Sequence, residues 1–221
     1  MTLDVSVAKK EKIRYAISKR TRASLFALAL LTMVLLIWLD HSVLSSCRQP
    51  RTKDHLKADD FEKYNGKNFT VINVVDGDTI DIDIADGQYE HTRIRLWGID
   101  TPETKNPKTG TMYFGPQAAE FTKKLTLGKP VTVYPDEGNR TRGYYGRLLA
   151  YIKLPDGRFL NEVLLTDGFA YADTRFRHGF YQKYIQLESA ARSQKKGLWE
   201  KVMPEQLPKW LQKQNRHRET Q

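Results

Sequence analysis

Hydrophobic and polar positions fall into three successive patterns. From Ala23 to Leu39 the chain runs for 17 residues without a charge. As a helix rising 1.5 Å per residue, this run sits at the short end of what spans a hydrocarbon core of about 30 Å. It reads as a membrane-spanning segment, with Trp38 where an interfacial aromatic belongs. From Asn68 the pattern changes to strands. Phe69, Val71, Ile72, Val74 and Val75 form a first apolar run, and Ile80, Ile82 and Ile84 then alternate with Asp81 and Asp83, the period of a strand with one wet face. Asp86-Gly87 is a hairpin signal, and a third strand is expected from Gln88 to Trp97. Val131, Val133 and Tyr134 mark a fourth strand. Leu148, Leu149, Tyr151 and Ile152 mark a fifth, closed by Pro155-Asp156-Gly157.

The third pattern is helical. Gly115-Pro116 opens a helix whose Ala118, Phe121, Thr122 and Leu125 share one face, and Gly128 ends it. Asn161 is placed to cap a short helix through Leu165, and an amphipathic helix covers Tyr181 to Lys196. Five short strands, one helix between the third and fourth and helices at the end predict a mainly β, α+β fold. The expected form is a five-stranded OB-type Greek-key barrel with about three helices, preceded by one N-terminal transmembrane helix. The domain is set at residues 68–200. Residues 40–67, mixed in charge with Pro50 and Gly66, read as a linker. Residues 201–221 form a basic polar tail in which Trp210 and Leu211 leave a short helix open. The tail reads as solvated, with a phosphate or anionic-lipid contact as the alternative.

Charge changes the picture once it is divided. The formal net charge is +10. Residues 1–67 hold 13 basic against 7 acidic residues, residues 68–200 hold 18 against 17, and residues 201–221 hold 5 against 2. The domain is nearly neutral, so bulk charge gives no reason to expect nucleic-acid binding there. The basic residues of 1–22 precede the apolar run, so the positive-inside rule places the N-terminus in the cytoplasm and the domain outside it, as a single-pass signal anchor. Leu44-Ser45-Ser46-Cys47 resembles a bacterial lipoprotein cleavage box, which makes lipidation of Cys47 the alternative attachment. Cys47 is the one cysteine, so no intramolecular disulfide forms. No obligate protein partner is evident, and a monomer is expected.

Candidate chemistry concentrates at Asp100-Thr101-Pro102-Glu103-Thr104, with Arg95 five residues earlier. Asp-Gly occurs at 76, 86, 156 and 167, and only the first is followed by a further carboxylate and a strand, at Asp78-Thr79. Asp78, Asp100 and a backbone carbonyl near Thr101 are candidates for an all-oxygen cation site of the kind Ca2+ takes. No His/Cys spacing of a zinc site occurs. Arg147 follows a glycine-bearing basic loop and suits a phosphate fork, with a plain basic loop as the bland alternative.

Asp76-Gly-Asp-Thr79, Arg95-Leu-Trp-Gly-Ile-Asp100-Thr-Pro-Glu-Thr104, Tyr113-Phe-Gly-Pro-Gln-Ala118, Tyr145-Gly-Arg-Leu-Leu-Ala-Tyr151 and Asn161-Glu162 occur in this order. Together they resemble the staphylococcal (thermonuclease) family over residues 68–200. The resemblance implies an OB barrel and a Ca2+-dependent endonuclease acting on DNA or RNA phosphodiesters with little sequence preference. It implies metal ligation by Asp78, Asp100 and the Thr101 carbonyl, and catalysis by Arg95, Glu103 and Arg147. The loop Arg142-Gly143-Tyr144 is one residue longer than the family's, which leaves open which tyrosine stacks on a base. A catalytically silent OB-fold module that only binds nucleic acid is the competing reading. It predicts loss of at least one of the three catalytic residues.

Overall fold

The computed structural model describes residues 19–46, 53–105 and 110–219. The chain divides into two compact units, Met1–Pro50 and Arg51–Gln221. In the first, helix α1 (Lys19–Ser46) contains the whole uncharged run and continues through Asp40 and His41. Its apolar side chains are exposed, Leu31 at 68% and Trp38 at 69%. Among the described residues no helix is long and apolar enough to cross a membrane. A run of 17 uncharged residues measures about 26 Å as a helix, short of a core of about 30 Å. Residues 1–18 and Cys47 lie outside the described residues, and with them the expected basic lead and lipidation site.

In the second unit the five expected strands close a barrel. They are β1 (Lys67–Asp76), β2 (Thr79–Ile82), β3 (Thr92–Leu96), β5 (Pro130–Pro135) and β6 (Leu148–Lys153). The order is β1-β2-β3-β6-β5, with β5 returning to β1; only β3 and β6 run parallel. Inward residues alternate as the pleat demands: Ile80, Ile82, Ile94, Leu96, Val131, Val133, Leu148 and Ile152 are at most 1% exposed. The wet face expected on β2 is not wet at Asp81. Arg93 on β3 covers it with a bidentate pair at 2.7 and 2.9 Å, and Asn73 adds a bond at 2.9 Å. Closing the sheet brings β3 beside β2, and the long Arg93 side chain does the shielding. A second, two-stranded sheet pairs β4 (Ile99–Asp100) with β7 (Tyr171–Ala172).

Helices α3 (Gly115–Thr126), α4 (Leu160–Thr166) and α5 (Tyr181–Ser193) are the three expected from sequence. Two further helices correct the expected boundaries. Residues 53–64 are not linker but α2 (Lys53–Tyr64): Tyr64 is fully buried in the core, with its hydroxyl 2.9 Å from Thr92 Oγ1. Residues 204–219 are not a solvated tail. A 3₁₀ turn (Pro204–Gln206) leads into α6 (Lys209–Glu219), and Leu207 and Leu211 are buried against Tyr171 and Leu198. Both segments carry many charges, and a few apolar residues at helical spacing suffice to dock them. Asn161 is not the helix cap either. Fully buried, its side chain accepts from the Ile152 N–H at 3.1 Å and donates to the Trp97 carbonyl at 3.0 Å, tying β6 to the turn after β3.

Candidate active site

The site forms where β2, β3, β4 and the loop after β4 meet at one end of the barrel. Asp78 occupies the β1–β2 turn and is 4% exposed. Its Oδ2 accepts from the Thr101 N–H at 2.7 Å and the Thr101 hydroxyl at 3.1 Å, and its Oδ1 accepts from the Thr79 hydroxyl at 3.1 Å. Gly77 makes this approach possible, since a Cβ there would lie 2.8 Å from Thr101 Oγ1. Arg95 lies in β3 between the two aspartates, with Nη1 3.0 Å from Asp78 Oδ2 and Nη2 2.6 Å from Asp100 Oδ1. It also donates to the Ile99 carbonyl at 2.8 Å. The pair at 78 and 95 is a barrel product: β2 and β3 are neighbours, with Thr79 opposite Arg95.

Glu103 follows on the loop, its side chain exposed. Its carbonyl accepts from the Met112 N–H at 2.9 Å, and Gly115 allows α3 to start against it, a Cβ at 115 falling 2.5 Å from that oxygen. Arg147 reaches the same place from the start of β6, with Nη1 3.5 Å from Thr79 Oγ1 and its guanidinium 5.9 Å from the Tyr145 ring centre. No carboxylate among the described residues pairs with it. All six residues singled out from the sequence therefore converge. Tyr145, 79% exposed, is the tyrosine beside Arg147, while Tyr144 stands edge-on to it and 89% exposed.

The electrostatics divide the carboxylates by the sign of their shift. Burial pushes the Asp78 carboxyl up to about 6; Arg95 opposes this and Asp76 adds to it. Burial likewise raises Asp100, against the pull of Arg95. Burial raises Glu103 too, reinforced by Asp78 and Asp100 and countered by Arg95 and Arg147. Three carboxyls held above their ordinary range mark a place where burial and neighbouring acids outweigh the pull of Arg95. Every candidate ligand there is a hard oxygen, which suits an alkaline-earth cation and not zinc. Among the described residues no group of three or more His, Cys, Asp or Glu side chains is set to hold a metal ion. The site offers two carboxylates, Asp78 and Asp100, beside Thr101.

Two contributors were not read from the sequence. Trp210 of α6 donates its indole N–H to Asp100 Oδ2 at 2.8 Å, and Arg175 lies over the Trp210 ring at 4.7 Å with Nη2 3.6 Å from Asp100 Oδ1. The sequence signal was Trp210 and Leu211 standing in a basic, largely polar tail. Arg175 and Trp210, together with Glu103, Met112, Tyr113 and Leu207, line a cavity of about 620 Å3 that opens onto Asp100. A second cavity of about 410 Å3, lined by Tyr89, His91, Arg93, Tyr145 and Arg147, lies near the other arginine.

Residues 93–201 match the family model described as staphylococcal nuclease homologue. A thermonuclease of Staphylococcus hyicus is 38% identical over 136 residues, 61% of this chain and 77% of the relative. The chain belongs to the staphylococcal nuclease family. A thermonuclease of Staphylococcus intermedius is 39% identical over 137 residues, 62% of this chain and 78% of the relative. An uncharacterized endonuclease of Escherichia coli is 34% identical over 141 residues, 64% of this chain and 81% of its own. In this nuclease-family chain the region matched by the model takes in Arg95, Asp100, Thr101, Glu103 and Arg147 but neither Asp78 nor the 3₁₀ turn and α6. Barrel closure and C-terminal docking bring those to the site.

Proposed function

We propose that the protein is a membrane-attached, Ca2+-dependent endonuclease that cleaves DNA or RNA outside the cytoplasm with little sequence preference. It is a phosphodiester-cleaving hydrolase, as its nuclease relatives support. The observation that carries the finer reading is electrostatic. Glu103, exposed and held above its ordinary range, sits in the field of two arginines, Arg95 and Arg147, that arrive from different strands.

The chemistry follows from that placement. A solvent-exposed carboxylate beside the phosphate can take a proton from water. Glu103 takes a proton from a water molecule as its oxygen bonds to phosphorus. The bond from phosphorus to the leaving sugar oxygen breaks, and that oxygen takes a proton from solvent. Negative charge grows on the non-bridging oxygens, and the Arg95 and Arg147 guanidiniums stabilise it with charge-assisted hydrogen bonds. Arg147, with a single 3.5 Å contact to Thr79, keeps donors for a phosphate. Asp78, Asp100 and the Thr101 carbonyl are the proposed ligands of Ca2+, which when bound polarises a phosphoryl oxygen and holds the phosphate. The hard-oxygen donor set and the raised carboxyls fit that ion.

Membrane attachment rests on the first unit. Helix α1 exposes Leu28, Leu30, Leu31, Val34, Leu36 and Trp38, each at 62% or more. A continuous apolar surface of that kind needs a lipid or protein cover. Its short length is met by local bilayer thinning, which costs fractions of a kcal/mol per Å. The basic lead supports a cytoplasmic N-terminus and a domain on the far side. The test is a nuclease assay of the full-length, detergent-solubilised chain on single-stranded DNA and RNA with Ca2+, Mg2+ and chelator. Turnover in Ca2+ that chelator abolishes is expected. Salt-sensitive binding without turnover would leave the silent binding module instead.

A further inference from the structure

We propose that Trp210 is a positioning residue of the active site: its indole N–H fixes the orientation of the Asp100 carboxylate, so the C-terminal segment completes the cation site. The inference rests on the reading of Asp100 as a cation ligand. It adds a part of the chain that the family match, ending at residue 201, does not reach.

The geometry is specific on both oxygens of Asp100. Arg95 Nη2 holds Oδ1 at 2.6 Å and Trp210 Nε1 holds Oδ2 at 2.8 Å. Rotation of a carboxylate about its last torsion is soft, and two donors on its two oxygens are what lock it. The indole is itself held. Arg175 packs over its ring at 4.7 Å and is tied to Asp173 by bonds of 2.7 and 2.8 Å. Leu207 and Leu211 on either side of Trp210 are 8% and 6% exposed, and the Thr174 hydroxyl donates to Gln214 Oε1 at 2.9 Å. These contacts bind α6 to the loop after β7, the strand that pairs with the Asp100 strand. The identity of the donor matters as much as its place. An indole N–H orients the second oxygen without adding a further positive charge to those of Arg95 and Arg175 on the first, as a lysine there would.

The test uses the full-length chain and Trp210→Phe, which keeps an aromatic ring under Arg175 and deletes the N–H. Calcium affinity is read by calorimetric titration, alongside melting temperature, substrate KM and the Ca2+ concentration for half-maximal turnover. Loss of an outer-shell partner weakens a metal on the order of 10-fold or more. W210F should weaken Ca2+ binding by that factor and raise the half-maximal concentration equally, with KM and calcium-free melting unchanged. Lys213→Ala, on an exposed position of α6, should behave as wild type. Trp210→His returns a ring N–H and should recover part of the affinity. Wild-type Ca2+ affinity in W210F, or equal losses in W210F and W210H, overturns the proposal. Tighter Ca2+ binding and faster turnover in W210F overturn it too, and make α6 a cover. If the wild-type chain itself takes up no Ca2+, the cation reading fails first, a result visible before any variant is made.

Discussion

Two arginines in the barrel each sit between two aspartates, and they do different things. Arg95 lies between Asp78 and Asp100, and Arg142 between Asp60 and Asp86. Burial does not separate them, since their side chains are 15% and 22% exposed. Charge balance and saturation do. Arg142 spends all five N–H donors on protein: two on Asp60, two on Asp86 and one on the Gly146 carbonyl. Its ring neighbour Tyr64 covers one face at 5.7 Å. Burial works against its charge, and the two aspartates more than offset that. Arg95 instead faces Asp78, Asp100, Asp76 and Glu103, and burial, reinforced by repulsion among these acids, raises three of those carboxyls against its pull. A saturated guanidinium is a rivet between α2, the Asp86 turn and the loop before β6. An overdrawn one stands among carboxylates it does not neutralise, the setting that the proposed cation and phosphate require.

The largest expected effect is catalytic. Glu103→Gln should cut turnover by about 10²–10⁴-fold, the range of a lost general base, with the melting temperature little changed because the side chain is exposed. Arg147→Ala should fall in the same range as a lost charge clamp on the transition state. A nuclease assay paired with thermal melting reads both. Wild-type turnover in E103Q would remove Glu103 from the proposed role.

Arg142→Met reverses the pattern. It strands Asp60 and Asp86, and breaking a buried pair in this way costs about 3–5 kcal/mol. Urea unfolding should show that loss while turnover per folded molecule stays within about twofold, the null of a purely structural group. A selective loss of turnover would mean the two clusters are coupled.

Next in size is calcium itself. At 100 times its dissociation constant a ligand stabilises the folded state by about 2.7 kcal/mol. Melting should therefore rise with Ca2+ and fall back with chelator, and Asp100→Asn should abolish the rise. Removal of Ca2+ should leave α2 and the Arg142 cluster intact by hydrogen exchange.

The smallest effect is in acid. Asp81 and Asp136 are carboxylates of the structural kind. Burial opposes their charge, but hydrogen bonds from Arg93 and Asn73, and from Tyr151 and Gly179, outweigh it and hold both below the usual range. Burial holds the His178 imidazole low as well, against Asp136 and Asp173. All three have lowered pKa values, so each contributes stability that is complete above its ordinary value and lost as pH falls through the folded one. That loss should begin below the ordinary histidine value of 6.5 and steepen below the ordinary aspartate value of 3.8; Asp78, Asp100 and Glu103, raised in the fold, work in the opposite sense, so it is read as the difference in melting temperature between wild type and variant. Asp136→Asn should flatten the second decline; an unchanged acid limb would remove Asp136 as its source.

The sequence was most informative where chemistry is local. Arg95, Asp100, Thr101 and Glu103 lie within nine residues on one strand end and its loop, and their grouping needs no tertiary contact. The strands were legible from their short apolar runs, most clearly where Ile80 and Ile82 alternate with polar residues before the Asp86-Gly87 turn. Segments dominated by charge were the hard ones. Residues 53–64 and 204–219 look solvated because a few apolar residues carry their docking, and composition averages those away. Asp81 and Asp136 look like surface acids because their shields, Arg93 and Tyr151, are supplied by other strands.

What sequence determined alone was therefore the barrel's period, the reactive stretch and the apolar run of α1, since each depends on residues that are neighbours along the chain. What tertiary structure decided was which charges are balanced. Arg95 and Arg142 are the same residue type between the same pair of acids. Only closure of the barrel, which sets Asp78 beside Arg95, and docking of α2, which sets Asp60 beside Arg142, make the first a site and the second a clamp. Electrostatic energy depends on distance and burial, and neither is written in the order of residues. The same reason hid Trp210, which lies 110 positions from Asp100 along the chain and 2.8 Å from it in the fold.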